Sequence, residues 1–148
     1  MTVITAFLHH LAAFVLVSAL ALELVLLRGE LTLWTARRLQ VADAILGMAA
    51  GVVFVVGLSR VIWFEKGAAY YFTSHAFLTK FGLFIVVGLL SIVPTMEFLS
   101  WRKAVQAGQV PVVSDAKLKR VRMIVHIELA AIVVILLCAA IMAKGGWV

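Results

Sequence analysis

Four stretches of about twenty mostly apolar residues, at 5–27, 41–62, 77–99 and 123–143, constrain this chain more than any other feature of it. A helix rises roughly 1.5 Å per residue, so each stretch has the length to cross a hydrocarbon layer of about 30 Å. Backbone groups in lipid must be satisfied within the protein, and nothing in the chain alternates like a strand, so helices are the only consistent reading. With 65% of its 148 residues apolar, the chain has too little left over to form a separate soluble module. The expected fold is therefore all-α: one integral membrane four-helix bundle occupying 1–148.

The connections give an orientation. Arg28, Arg37 and Arg38 in the first, with Arg102, Lys103, Lys117, Lys119, Arg120 and Arg122 in the third, make nine basic residues. The other side has four: Arg60, Lys66, Lys80 and Lys144. The positive-inside bias places the first and third connections in the cytoplasm and both termini outside, an N-out/C-out arrangement in a bacterial inner (cytoplasmic) membrane. Trp34, Trp63, Tyr70, Tyr71, Trp101 and Trp147 near the predicted helix ends fit interfacial belts. The net charge of +6 resides in short connections facing headgroups, so nucleic acid is not expected as a partner and lipid is. Ala19-Leu20-Ala21 resembles a signal-peptidase site, but no basic residue precedes it and Glu23 follows, so an uncleaved first helix is expected. The single cysteine, Cys138, lies in an apolar run and reads as packing.

Three local features bear on packing. Gly47-Met48-Ala49-Ala50-Gly51 is a small-xxx-small face that lets a second backbone approach, within one bundle or between copies in a homo-oligomer. Pro94 is expected to kink the third span and free a carbonyl that Ser91 or a neighbouring helix can satisfy. Gln106 to Asp115, with Gly108 and Pro111, reads as a solvated linker before a basic helix start.

Ionisable side chains at membrane depth are costly unless paired, wet or ligated, and here they fall into two layers. The inner layer holds Glu23, Asp43, Glu97, His126 and Glu128, within reach of Arg28, Arg38, Arg102 and Arg122. Headgroup-level ion pairing is its plain explanation; a proton path or second ligand site, with His126 and Glu128 as secondary members, is the other. Those two residues lie about 200° apart on a helix and cannot share a face. The outer layer holds His9, His10, Arg60, His75 and Lys80. Imidazole ligates haem iron, zinc or copper, and a cation at that depth suits a propionate. The competing account is a set of interfacial histidines bonded to water. Zinc-protease, dithiol, nucleophile-elbow and phosphate-loop motifs are absent, as is the two-depth histidine pairing of a di-haem cytochrome.

The segments Leu8-His9-His10-Leu11-Ala12-Ala13-Phe14, Glu65-Lys66-Gly67-Ala68-Ala69-Tyr70-Tyr71 and Lys80-Phe81-Gly82-Leu83-Phe84 resemble a family of small bacterial predicted membrane proteins that brings no established activity. More distantly, His10-Leu11, Arg38-Leu39, Phe77-Leu78-Thr79-Lys80, Glu128 and Lys144 resemble motifs of the HemJ-type protoporphyrinogen IX oxidases, haem-b-binding membrane proteins with a four-helix core. The chain departs from that pattern where Ser91-Ile92-Val93-Pro94 replaces a tyrosine-histidine pair and Ile127 replaces an asparagine. The resemblance thus implies haem binding rather than porphyrinogen oxidation.

These readings lead to an expected membrane haem b protein active in electron transfer or as a small oxidoreductase. His10 is the expected axial ligand, with His9 as its partner or substitute, His75 or Lys80 on the opposite face and Arg60 beside a propionate. A quinone or a porphyrinogen would partition to it through the bilayer. The alternatives are a copper or other metal handling protein, weakened by the absence of an outer methionine cluster, and a cofactor-free accessory subunit.

Overall fold

A computed structural model describes residues 2–64 and 68–145. Among them six α-helices occur in the order α1 (Thr2–Arg28), α2 (Leu33–Ser59), α3 (Ala68–Thr73), α4 (His75–Ser100), α5 (Arg102–Gln106) and α6 (Asp115–Ala143), with a π-helical turn Arg60–Phe64 following α2. Four helical spans are long and apolar enough to cross a membrane: 3–28, 33–63, 75–106 and 115–143. Lys66 and Trp147, named above as loop cation and interfacial aromatic, lie outside the described residues, as do Glu65 and Gly67.

The helices begin where capping chemistry allows, not where the apolar runs begin. Thr32 and Thr35 form a reciprocal capping box, so α2 starts at Leu33, well before the apolar run at 41. Ser114 accepts from the Lys117 amide at 3.3 Å and starts α6 at Asp115, carrying the basic turns Lys117–Arg122 below the apolar stretch. Ser74 caps α4 in the same way, through the Phe77 amide. Gly108, at φ 73°, supplies the left-handed residue that turns the chain after α5.

The spans form a ring in the order α1, α2, α4, α6. α1 lies against α2 and α4 against α6 over much of their lengths, giving two helical hairpins; the α1–α6 and α2–α4 contacts join them less extensively. Close packing is uneven along the bundle. The main core, including Leu16, Leu20, Leu24, Leu39, Phe98 and Val125, fills the half nearest the first and third connections. At the other end, among the described residues, Tyr71 of α3 forms a small buried cluster with Val61 and Phe77.

Several sequence-based expectations need correction. The loop after α2 contains a π-turn and the short helix α3, and its Tyr71 is buried instead of lying in an aromatic belt. Trp101 is also buried, donating from Nε1 to Glu97 at 3.1 Å, whereas Trp34 and Trp63 are exposed. Among the described residues of this one chain no backbone approaches Gly47 or Gly51, where a Cβ would meet nothing within 4 Å, so the small-residue face does not pack within the bundle and contact between copies is the use left open. The Ser91 hydroxyl bonds Glu128 instead of a carbonyl freed by Pro94. Cys138 is buried packing, as expected.

Candidate functional site

The loosely packed end of the bundle encloses a cavity of about 550 Å³ among α1, α2, α3, α4 and α6. That volume lies within the usual range of small-molecule sites, roughly 300–1,000 Å³. Its polar side chains are His9 and His10 from α1, Arg60 from the turn after α2, Tyr70 and Tyr71 from α3, and Lys80 from α4. Phe54, Phe77, Phe81 and Phe84 supply aromatic wall. Phe54 stacks on Phe84 at 6.3 Å and on Phe81 at 6.3 Å between centroids, giving the wall a flat side. Lys80 Nζ lies 5.4 Å from the centre of the Phe77 ring.

The adjacent histidines diverge because neighbours on a helix point about 100° apart. Their rings meet edge to face, with centroids 6.0 Å apart. His9 turns into the bundle against Gly57, where the missing side chain leaves room for the ring: a Cβ there would come within 3.1 Å of His9 Cε1. Its Nδ1 is buried without a hydrogen bond, and the Val53 backbone lies close to the ring. His10 is more exposed, and its Nδ1 lies 2.6 Å from the Ala6 carbonyl, fixing the ring and leaving Nε2 as the unshared nitrogen.

Of the five outer residues singled out in the sequence, His9, His10, Arg60 and Lys80 converge on this cavity. His75 does not line it; it is exposed at the start of α4. His75 and Lys80 are five residues apart, about 140° around one helix, so a shared depth does not give them a shared face. Tyr70 and Tyr71, read from sequence only as interfacial anchors, are part of the lining. Among the described residues no group of three or more His, Cys, Asp or Glu side chains is arranged to hold a metal ion.

The inner layer differs from the arginine-paired set expected. Arg122 gives Nε and Nη2 to the Leu27 carbonyl at 3.0 and 2.7 Å, and Arg38 lies over the Trp34 ring. Glu97 is the carboxylate with a basic partner, Lys117 Nζ at 4.0 Å. Asp43 instead accepts from Thr95 Oγ1 at 2.8 Å and Glu128 from Ser91 Oγ at 2.5 Å. Glu23 is 0% exposed, and neither of its carboxylate oxygens has a hydrogen-bond partner. His126 is exposed while Glu128 is buried, as their angular separation requires.

Helices, burial and cavity together define a polytopic membrane protein with a ligand-sized pocket at one end of a four-helix bundle. The chain belongs to the family described as Predicted membrane protein (DUF2214), whose model matches residues 1–146. No curated protein and no solved structure matches it.

Proposed function

We propose that this protein binds haem b in the outer cavity and acts in electron transfer or as a small oxidoreductase of the bacterial inner membrane. The observation that carries the reading is the convergence, in one aromatic-walled cavity, of an inward imidazole with a buried unpaired nitrogen and two basic side chains.

The support is chemical, in a cavity within the size range of small-molecule sites. A porphyrin brings four in-plane nitrogens and asks the protein for only one or two axial groups. A bare copper or zinc ion asks for three or four, which the described residues do not gather. His9 presents the inward ring and is the favoured ligand, with His10 as its substitute, since the Ala6 carbonyl holds Nδ1 of His10 and leaves its Nε2 available, as in a metal-bound imidazole. Lys80, which enters from α4, would be a second side chain to hold the group, and Arg60 would supply positive charge for a propionate. The stacked phenylalanines cover an apolar face and exclude water. Bound haem supplies a one-electron redox centre whose potential follows its axial ligand, local charge and burial. A quinone or porphyrinogen dissolved in the bilayer is the matching class of redox partner, in keeping with the resemblance to HemJ-type proteins.

The test is the visible spectrum of detergent-purified protein, air-oxidised and dithionite-reduced, after expression with a haem precursor. The expected result is a Soret band that shifts on reduction, disappears in His9→Ala and survives, weakened, in His10→Ala. Loss in His10→Ala alone would move the axial ligand to His10. A wild-type protein without a Soret band would refute haem binding.

A further inference from the structure

A second cavity, of about 180 Å³, lies deeper in the bundle among α1, α2 and α4. Most of its wall is apolar, but Asp43, Ser91 and Thr95 border it. Ser91 and Thr95 are one helical turn apart on the same face of α4, and their hydroxyls reach carboxylates on two different helices, Glu128 on α6 and Asp43 on α2. Glu23 lies on the same face of α1 as Leu20, which borders this cavity, and close enough to Asp43 and Glu128 to feel their charge.

This group is undersupplied with donors. Both oxygens of Glu23 and Oε2 of Glu128 are buried without a hydrogen bond, although these two residues are only 0% and 1% exposed. Among the described residues no ion pair with a basic side chain offsets them. Arg122 on α6 is held by the Leu27 carbonyl, Glu97 on α4 takes Lys117, and His126 faces away. Three ionised carboxylates in such surroundings would leave uncompensated negative charge inside a membrane. A counter-cation is therefore required, and the carboxylates are not arranged to ligate a metal ion. A proton needs no coordination shell.

We infer that Glu23, Asp43 and Glu128 form a buried proton-binding site that exchanges with water through the outer cavity. The linings suggest the route: Leu16 and Phe84 border both cavities, and the deeper one touches Asp43 itself and Ser91, the hydroxyl partner of Glu128. In each exchange a carboxyl O–H breaks as a water accepts the proton, and re-forms when a hydronium returns it. The Ser91 and Thr95 hydroxyls hold the oxygens of Glu128 and Asp43 in place as the charge changes. Haem is not needed for this site, so it stands or falls separately from the outer cavity's ligand.

The experiment is infrared spectroscopy of the haem-free protein in liposomes at neutral pH, first in water and then after transfer to deuterium oxide. The expected result is a protonated-carboxyl C=O band that shifts on deuteration, with a component lost in Glu23→Gln and another in Glu128→Gln. Phe84→Ala should speed the deuterium shift severalfold. Carboxylate bands alone, a protonated band that never exchanges, or one unchanged in both variants would overturn the proton site. A band abolished by sodium at constant pH would replace the proton with a metal cation, and an unchanged rate in Phe84→Ala would overturn the route. If Glu23→Gln does not fold, Glu128→Gln and Asp43→Asn carry the same test.

Discussion

Gly57→Ala probes the most specific contact in the outer cavity. The added Cβ would stand 3.1 Å from His9 Cε1 and 3.4 Å from its Nδ1, whereas carbon atoms pack comfortably at about 3.5–4.0 Å. The ring must therefore retreat by roughly half an ångström or rotate away from its staggered well, and such overpacking costs about 1–3 kcal/mol. Alanine in a helix interior, by itself, is better than glycine by roughly 0.5–1 kcal/mol. Gly51→Ala is the matching control, since nothing lies within 4 Å of its Cβ position. Gly57→Ala should thus fall about 1–3 kcal/mol below Gly51→Ala in detergent unfolding. Haem titration should show about a tenfold loss of affinity, equivalent to roughly 1.4 kcal/mol, because the displaced ring is the proposed ligand. The loss of stability should vanish when His9→Ala is added to Gly57→Ala, since the clash then has only one partner. Equal stability and equal haem affinity in Gly57→Ala and Gly51→Ala would refute the placement of His9 against Gly57.

The remaining predictions concern the deeper residues and the topology. Ser91→Ala strands Glu128 and should cost about 1–3 kcal/mol in unfolding measurements; the loss should shrink in Ser91→Ala combined with Glu128→Leu, and an undiminished loss would count against that hydrogen bond. Glu23→Leu replaces an unpartnered buried carboxylate with an apolar side chain and should be neutral or stabilising, by up to about 4 kcal/mol, whereas a large drop in the unfolding midpoint would reveal a partner for Glu23. Val112→Cys, in the fully exposed linker before α6, should react with an impermeant thiol reagent only after the cells are opened. The buried Cys138 keeps the background low, and labelling of intact cells would reverse the expected orientation.

The sequence made the four spans legible because lipid leaves a long apolar run little choice of structure. Their ends at the first and third connections were less legible: Thr32, Thr35 and Ser114 carry α2 and α6 beyond the apolar runs. The Thr32–Thr35 spacing was a readable capping signal. Depth along the helices also placed both layers of ionisable residues. Direction around them was harder, and it decides which groups meet. It brings His9, Arg60 and Lys80 to one cavity, leaves His75 outside and turns Glu128 inward beside an outward His126. Arg122 shows the same limit, since it lies near the carboxylates in sequence but is spent on the Leu27 carbonyl. The roles of Tyr70 and Tyr71 in the cavity depended on the fold of a connection too short and mixed to announce a helix.

The division into two hairpins has a consequence for how the chain is made. α1 and α2 emerge from the ribosome first and already have most of each other's contact surface, before α4 and α6 exist. They can leave the translocon as a preassembled pair, with the later pair docking sideways in the bilayer. Both cavities are bordered by residues from each pair, so neither pocket exists until that lateral docking is complete. Any ligand of these pockets could therefore enter only at the last stage of biogenesis, and a chain cut between the hairpins should recover its pockets when the two halves are synthesised in the same membrane.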